Sequence, residues 1–250
     1  MKIVIIGGTG LIGSQVANLL KNEHEVVVAS PNTGVNTITG EGLVEALKNA
    51  NVVIDVSNSP SFEDGPVMSF FKTSNENLLP AEKKAGVQHH IALSVVGTDK
   101  LQESGYFRAK QVQENMIKDS GIPFTLVHAT QFFEFAGSIV QMSMSDGKVK
   151  LSDAFIQPIA SVDVATFIAK VATEKPVNKI LEIGGPEQFR IDEWIKQYIT
   201  ATEKSLDVET DSNAPYSGVI LEKNTLTPEN PVYLGANGYA NWIAKPENKR

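Results

Sequence analysis

The chain has 250 residues, 42% of them hydrophobic, enough to bury a sizeable core, and at this length an α/β chain still forms one main domain. Its 29 acidic against 22 basic side chains give a formal charge of −7, which argues against a nucleic-acid-binding surface, where phosphate neutralisation needs clustered Lys and Arg. With no cysteine, disulfides, thiolate chemistry and Cys-ligated metals are excluded.

The N-terminal residues 1–6 run straight into a glycine turn and lack the long apolar stretch and small-residue cleavage site of a signal peptide; no span approaches transmembrane length. The expectation is a soluble, cytoplasmic protein that meets small molecules, not nucleic acid or membrane. Short β-branched runs then alternate with amphipathic stretches, the pattern of βαβ units and a mostly parallel sheet. Strands are predicted over 3–6, 25–29, 52–56, 89–94 and 124–128, each apolar enough to be covered on both faces. Helices are predicted over 11–21, 41–49, about 67–85 and 106–120, with Gly86 and Gly121 placed as C-terminal stops. After residue 130 the pattern loosens. A helix is predicted over 132–144, a short strand over 148–151, a helix over 162–173, a strand over 180–183 and a helix over 192–202. The stretch 213–231, rich in Pro, Asn, Ser and Thr, reads as an ordered loop or lid.

Between the first strand and helix stands Gly7-Gly8-Thr9-Gly10-Leu11-Ile12-Gly13. Glycines at 7, 10 and 13 permit a tight turn, a close backbone approach to a pyrophosphate and close helix packing, and the helix N-terminus faces the phosphates. A tight strand-to-helix connection alone would also select them, but strand, turn and helix come in the order dinucleotide binding requires. Gly7, Thr9, Gly10, Leu11, Ile12 and Gly13 are therefore candidate cofactor residues. The second strand does not end in the acidic residue that accepts hydrogen bonds from the NAD ribose; Ser30, Asn32 and their neighbours offer hydroxyl, amide and backbone donors instead. NADP(H) is favoured over NAD(H), although the loop carries no Arg or Lys. Val56, Ser57 and Asn58 close the third strand and would line the adenosine side of the cleft, with Asp55 read equally as a structural carboxylate.

A second pattern opens the predicted helix 106–120. Tyr106-Phe107-Arg108-Ala109-Lys110 sets a phenol and an ammonium four residues apart, on one helix face and within reach of one small reaction volume. The preceding strand ends in Leu93-Ser94-Val95-Val96-Gly97, putting the Ser94 hydroxyl at the carboxyl edge of the sheet, where open α/β folds bind ligands. In this catalytic reading Tyr106 protonates a nascent alkoxide. Lys110 lowers the phenol pKa from its ordinary ~10 and holds the nicotinamide ribose, and Ser94 orients the carbonyl. The competing reading packs Tyr106 at a helix start and leaves Lys110 solvated.

The chain resembles, over nearly its whole length, the short-chain dehydrogenase/reductase superfamily, specifically its atypical NmrA-like members with a shortened substrate lobe. The resemblance rests on the glycine motif, on Leu93 to Gly97, on Tyr106 to Lys110 and on Thr130-Gln131-Phe132-Phe133-Glu134-Phe135. Two later stretches, Gln157 to Ala165 and Glu182-Ile183-Gly184-Gly185-Pro186-Glu187, also look like the family. It implies an α/β fold: a Rossmann-like doubly wound parallel sheet with a small C-terminal substrate lobe. A single domain over 1–250 would divide into a dinucleotide-binding core, 1–130, and a substrate-side lobe, 131–250. NADP would lie across the sheet edge. Where family members carry an acidic residue near the adenine, the aligned position here is Asn36, which is taken as an adenine contact. Many NmrA-like relatives lack the Tyr and serve as redox sensors or double-bond reductases; this chain retains Ser94, Tyr106 and Lys110.

Phe132 and Phe133, just beyond the fifth strand, are substrate-pocket candidates, with core packing as the other reading. His24, His89, His90 and His128 show no metal-ligand spacing and are read as structural, with no metal expected. Met142, Met144, Tyr216, Tyr233, Tyr239 and Trp242 read as a pocket roof, as core or as a dimer contact. A symmetric homodimer is the general prior. The expected function is NADPH-dependent reduction of a small apolar carbonyl or quinone with Tyr106 as proton donor. The alternative is a non-catalytic NADP-sensing regulator that changes its affinity for a protein partner. Sugar-nucleotide epimerisation or dehydration ranks last, because the chain is short for a nucleotide-sugar lobe.

Overall fold

The computed structural model describes residues 1–249. The chain runs from β1 (Lys2–Ile6) through α1 (Leu11–Leu20), β2 (Glu25–Ala29), α2 (Leu43–Leu47), β3 (Val52–Asp55) and α3 (Asp64–Ala85). It continues as β4 (His89–Val95), α4 (Gly105–Asp119) and β5 (Phe124–Ala129). Beyond β5 come α5 (Ala136–Met142), β6 (Met144–Ser145), β7 (Lys148–Leu151), β8 (Phe155–Ile156), α6 (Ser161–Ala172) and β9 (Ile180–Gly184). The chain ends with β10 (Phe189–Arg190), α7 (Ile191–Ala201), β11 (Val208–Thr210), β12 (Tyr233–Leu234) and α8 (Tyr239–Ile243).

The apolar runs build a seven-stranded parallel sheet in the order β12-β9-β5-β4-β3-β1-β2, the doubly wound α/β architecture expected. Ile3, Val4 and Ile5 of β1 have no exposed surface, because β1 is paired on both edges and covered on both faces. Burying each such side chain is worth roughly 1.5–3 kcal/mol. The chain steps outward from β1 to β2 and then returns to β3 on the other side of β1, with Ile6 level with both Ala29 and Asp55. That reversal makes a switch point at the carboxyl ends of β1 and β3, where sheets of this kind bind ligands.

The chain divides into two compact units, Met1–His128 with Val164–Leu181, and Ala129–Asp163 with the segment from Glu182 onward. The first break falls close to residue 130, but 164–181 belongs to the first unit. The start of β9 adds to the sheet beside β5, with the Leu126 N–H donating to the Lys179 carbonyl at 3.1 Å. In the second unit β11, β7 and β6 form a three-stranded sheet, β10 and β8 a two-stranded one, and Phe133, Trp194, Tyr239 and Trp242 pack as an aromatic core. Two predicted helices change shape. The one at 41–49 contracts to α2, bounded by Gly42 and Asn49 at positive φ, and the one at 132–144 splits into a 3-10 turn, Phe133–Phe135, and α5.

Candidate functional site

The glycine turn closes on its own backbone. The N–H groups of Gly7 and Gly8 donate to the Ala29 carbonyl at 2.9 and 3.2 Å, and Gly10 N–H donates to Gly7 at 2.9 Å. Gly7 has φ +76°, and a Cβ there would stand 2.8 Å from the Ser57 backbone, so the loop after β1 lies directly against the end of β3. A Cβ on Gly13 would stand 2.3 Å from the Gly7 carbonyl oxygen. Glycine thus lets α1 seat its first turn on the loop, with Ile12 and Gly13 buried and Thr9, Gly10 and Leu11 exposed. The helix N-terminus, with its partial positive charge, opens at this exposed edge. Gly13→Ala is expected to destabilise the protein by about 1–3 kcal/mol, since the obstructing atoms are backbone, and to weaken NADPH binding. Urea unfolding and a fluorescence titration with NADPH would check both.

At the end of β2, Thr33 Oγ1 accepts the Ser30 N–H at 2.9 Å and donates to the Val28 carbonyl at 2.8 Å, closing the turn Pro31–Thr33. The Ser30 hydroxyl is buried and forms a capping box with Thr33 at the start of this turn. Asn32 is exposed, and the Asn36 side-chain oxygen accepts the Ile38 N–H at 2.9 Å, leaving its amide N–H groups as what it can offer a ligand. Val56 and Ser57 are half-buried and Asn58 exposed. Asp55 is the structural carboxylate: its Oδ1 accepts the Ser57 N–H at 3.0 Å and Ser57 Oγ–H at 2.6 Å. A cradle that only glycines allow and a polar turn at the β2 terminus fit the phosphate and ribose end of a dinucleotide.

Ser94, Tyr106 and Lys110 each have a distinct environment. Lys110 is almost fully buried. Its Nζ donates to the Leu93 carbonyl at 2.9 Å and to Gln113 Oε1, and it sits 4.5 Å above the centre of the Phe71 ring. Gln113 Nε2 in turn donates to Asp55 Oδ2 at 2.9 Å, linking the ammonium to a carboxylate through one amide. Ser94 Oγ donates to Glu114 Oε1 at 2.6 Å, and His128 Nε2 meets the same oxygen at 2.7 Å. Tyr106 is half-buried, its ring 5.5 Å from those of Phe62 and Phe107 and 6.2 Å from that of Phe71. Phe71 is therefore a neighbour of both Tyr106 and Lys110. Gln113 and Glu114 escape a reading of Tyr-x-x-x-Lys alone, yet they stand three and four residues after Lys110, the spacing that shares a helix face.

Burial pushes the Lys110 ammonium down to about 8, with Asp55 and then Glu114 pulling the other way. Burial raises the Glu114 carboxyl, but the contacts from His128, Ser94 and Lys118 outweigh it and hold the pKa below the ordinary value. For Lys110 the folded pKa lies below the 10.5 of an unperturbed lysine, so between about 8 and 10.5 the unfolded chain binds a proton that the folded one does not. Stability contributed through this group therefore rises with pH across that window, by up to about 1.4 kcal/mol per pH unit. Lys110→Met is expected to remove that rise, measured as the difference in urea stability between the two proteins at pH 8 and pH 10.

In the second unit, Phe133 is 1% exposed, its ring against Tyr239 and Trp242 in the core, whereas Phe132 is half-buried and stacks on the exposed Phe135. Of the roof candidates, Tyr239 and Trp242 are core, while Met142 and Met144 are exposed. The 213–231 stretch is held by isolated bridges, Tyr216 with Val219 and Leu226 with Ile156. No helix among the described residues is long and apolar enough to cross a membrane.

A family model described as NAD(P)H-binding matches residues 7–175. The chain is 26% identical over 215 residues to the (4-alkanoyl-5-oxo-2,5-dihydrofuran-3-yl)methyl phosphate reductase of Streptomyces griseus, covering 78% of this chain and 72% of that protein. It is 24% identical over 196 residues to the photosystem II assembly factor Ycf39 of Cyanophora paradoxa, covering 71% of this chain but only 61% of that protein's length. Among solved structures, a dTDP-4-dehydrorhamnose reductase from Clostridium acetobutylicum superposes with a TM-score of 0.73 at 16% identity, over 96% of this chain and 97% of its own. An NADPH-dependent quinone oxidoreductase from Escherichia coli does so with a TM-score of 0.65 at 20% identity, over 85% and 78%. At these identities the two structures establish the shared fold.

Proposed function

The chain belongs to the NAD(P)H-binding family, whose model spans its glycine loop, Ser94, Tyr106 and Lys110, and from that premise we propose that it is an NADPH-dependent reductase of the short-chain dehydrogenase/reductase type, acting on a small apolar carbonyl or quinone. The observation that carries the reading is a buried ammonium one helical turn from Tyr106, held at the carboxyl end of β4 by the Leu93 carbonyl. Bound NADPH supplies the hydride. Tyr106 donates the proton to the carbonyl oxygen, Lys110 biases the phenol toward releasing it and holds the nicotinamide ribose, and Ser94 orients the carbonyl. Gly7, Thr9, Gly10, Leu11, Ile12 and Gly13 receive the pyrophosphate, Ser30 and Asn32 the 2′-phosphate side, and Asn36, Val56, Ser57 and Asn58 the adenosine. NADPH is preferred because no carboxylate follows β2 to repel a 2′-phosphate. The reductase and quinone oxidoreductase among the similar proteins support the reaction class.

One observation favours a second reading, a non-catalytic NADP sensor: both Ser94 and Lys110 give their hydrogen bonds to internal partners, Glu114 and Gln113. The deciding experiment follows consumption of NADPH and of NADH against a panel of quinones, aldehydes and ketones. Substrate-dependent NADPH consumption is expected. Tight NADP binding with inertness across the whole panel would move the reading to the sensor, and faster turnover with NADH would overturn the cofactor choice.

A further inference from the structure

Within the first unit, three buried polar side chains form one hydrogen-bonded chain: Asp55 at the end of β3, and Gln113 and Lys110 of α4. Ser57 sets the first link. Its N–H and Oγ–H both donate to Asp55 Oδ1, which leaves Oδ2 to accept the Gln113 amide N–H at 2.9 Å. At the far end, Lys110 Nζ donates to Gln113 Oε1 and to the Leu93 carbonyl at 2.9 Å, so one of its three N–H groups is left for a ligand. A carboxylate only accepts and an ammonium only donates. The Gln113 amide therefore has a single orientation that serves both, its nitrogen toward Asp55 and its oxygen toward Lys110. The chain also reaches the glycine turn, because the Ser57 backbone is what a Cβ on Gly7 would strike at 2.8 Å.

We propose that Asp55 and Gln113 are positioning residues for Lys110: the carboxylate fixes which way the amide faces, and the amide oxygen holds the ammonium ready for the nicotinamide ribose. The inference rests on the reductase reading, which gives Lys110 that ribose, and adds what keeps the lysine in place. Two features favour positioning over a plain tether between β3 and α4. The ammonium touches a neutral amide, with the carboxylate one side chain further away, so its charge is not cancelled by a direct ion pair and stays available to bias a phenol. The long lysine stem is also costly to immobilise, and a side chain already held before the cofactor arrives spares the complex that entropy.

The test exchanges the two groups and reads NADPH affinity by fluorescence titration. In Asp55→Asn the remaining oxygen stays with the Ser57 N–H, so an amide nitrogen faces Gln113 and two donors oppose each other somewhere along the chain. NADPH binding is expected to weaken about tenfold. Adding Gln113→Glu restores an acceptor between the two donors and should return affinity to within about threefold of the unsubstituted protein. In a Lys110→Met background, Asp55→Asn should change affinity less than about twofold, whereas a structural tether would weaken binding equally with and without the lysine. Urea unfolding identifies any variant that does not fold; Gln113→Leu, which breaks the chain at its middle, then replaces Asp55→Asn in the same comparison. An unchanged affinity in a folded single variant, no recovery in the exchanged pair, or an equal loss in the Lys110→Met background would overturn the proposal. NADPH oxidation with 1,4-naphthoquinone, recorded alongside, separates the two claims. Losses of affinity that depend on Lys110, in a protein without turnover on any of the quinones, aldehydes and ketones, leave the positioning role standing and the reductase reading refuted; turnover that none of these substitutions alters does the reverse.

Discussion

Tyr106→Phe is expected to lower substrate-dependent NADPH oxidation by about 100- to 10,000-fold, the range lost when a positioned proton donor is removed. Phe keeps the ring that packs against Phe62, Phe71 and Phe107. Phe preserves all three, so urea stability should move by less than about 1 kcal/mol. NADPH affinity should stay within a few-fold, because the glycine cradle, Ser30 and Lys110 are untouched. The loss should therefore fall on kcat, with KM little changed, the pattern of an interaction made only in the transition state. Steady-state rates at saturating NADPH, together with NADPH binding by fluorescence, would check it. Rates within a few-fold of the unsubstituted protein would remove Tyr106 from the chemistry. The commitment of Ser94 to Glu114 and of Lys110 to Gln113 would then be the natural resting arrangement of a sensor.

The parts of the fold legible in advance are those set by local physics. β2 falls on 25–29 and β7 on 148–151, as predicted, because β-branched runs bounded by turn residues have one way to be buried. Gly86 stops α3 in the left-handed conformation as its position suggested. The misses have identifiable causes. Asp146-Gly147, both at positive φ, turns β6 back onto β7; that dipeptide is a hairpin signal, but the apolar run before it reads as a helix reaching 144. β8, β10 and β12 are two residues long and exist only because a distant partner strand is present. The candidate site divides in the same way. Gly7, Gly13, Ser94, Tyr106 and Lys110 stand out by type and spacing, whereas the tie between Gln113 and Asp55 joins residues 58 apart and leaves no local trace.

The second large effect is expected on stability, at a buried ion pair that the catalytic reading does not use. Glu82 of α3 and His90 of β4 are both fully buried, with His90 Nδ1 at 3.0 and 2.9 Å from the two Glu82 oxygens. Glu82→Leu should destabilise the protein by about 3–5 kcal/mol, the usual loss when one member of a buried pair is removed and the other stays unpaired. That is a large share of the roughly 5–15 kcal/mol by which a domain is stable. Burial opposes protonation of His90, but the adjacent Glu82 carboxylate, helped by Asp55, outweighs it and raises the pKa above the ordinary 6.5. A raised folded pKa means that the folded chain holds a proton the unfolded chain has released. The His90 contribution is therefore complete below about pH 6.5 and is lost as pH climbs through the raised value. Glu82, whose own pKa burial raises above 4.5, shifts stability in the same sense. The stability difference between unsubstituted protein and Glu82→Leu should thus be widest near pH 5.5 and narrow toward pH 8.5. Glu82→Gln, which keeps an acceptor for a neutral imidazole, should lose less, about 1–3 kcal/mol, with a flatter pH profile. Urea unfolding of the three proteins at pH 5.5, 7 and 8.5 measures this directly. A loss under about 1 kcal/mol, or one that does not vary with pH, would show that His90 stays neutral and that its contact with Glu82 is an ordinary hydrogen bond.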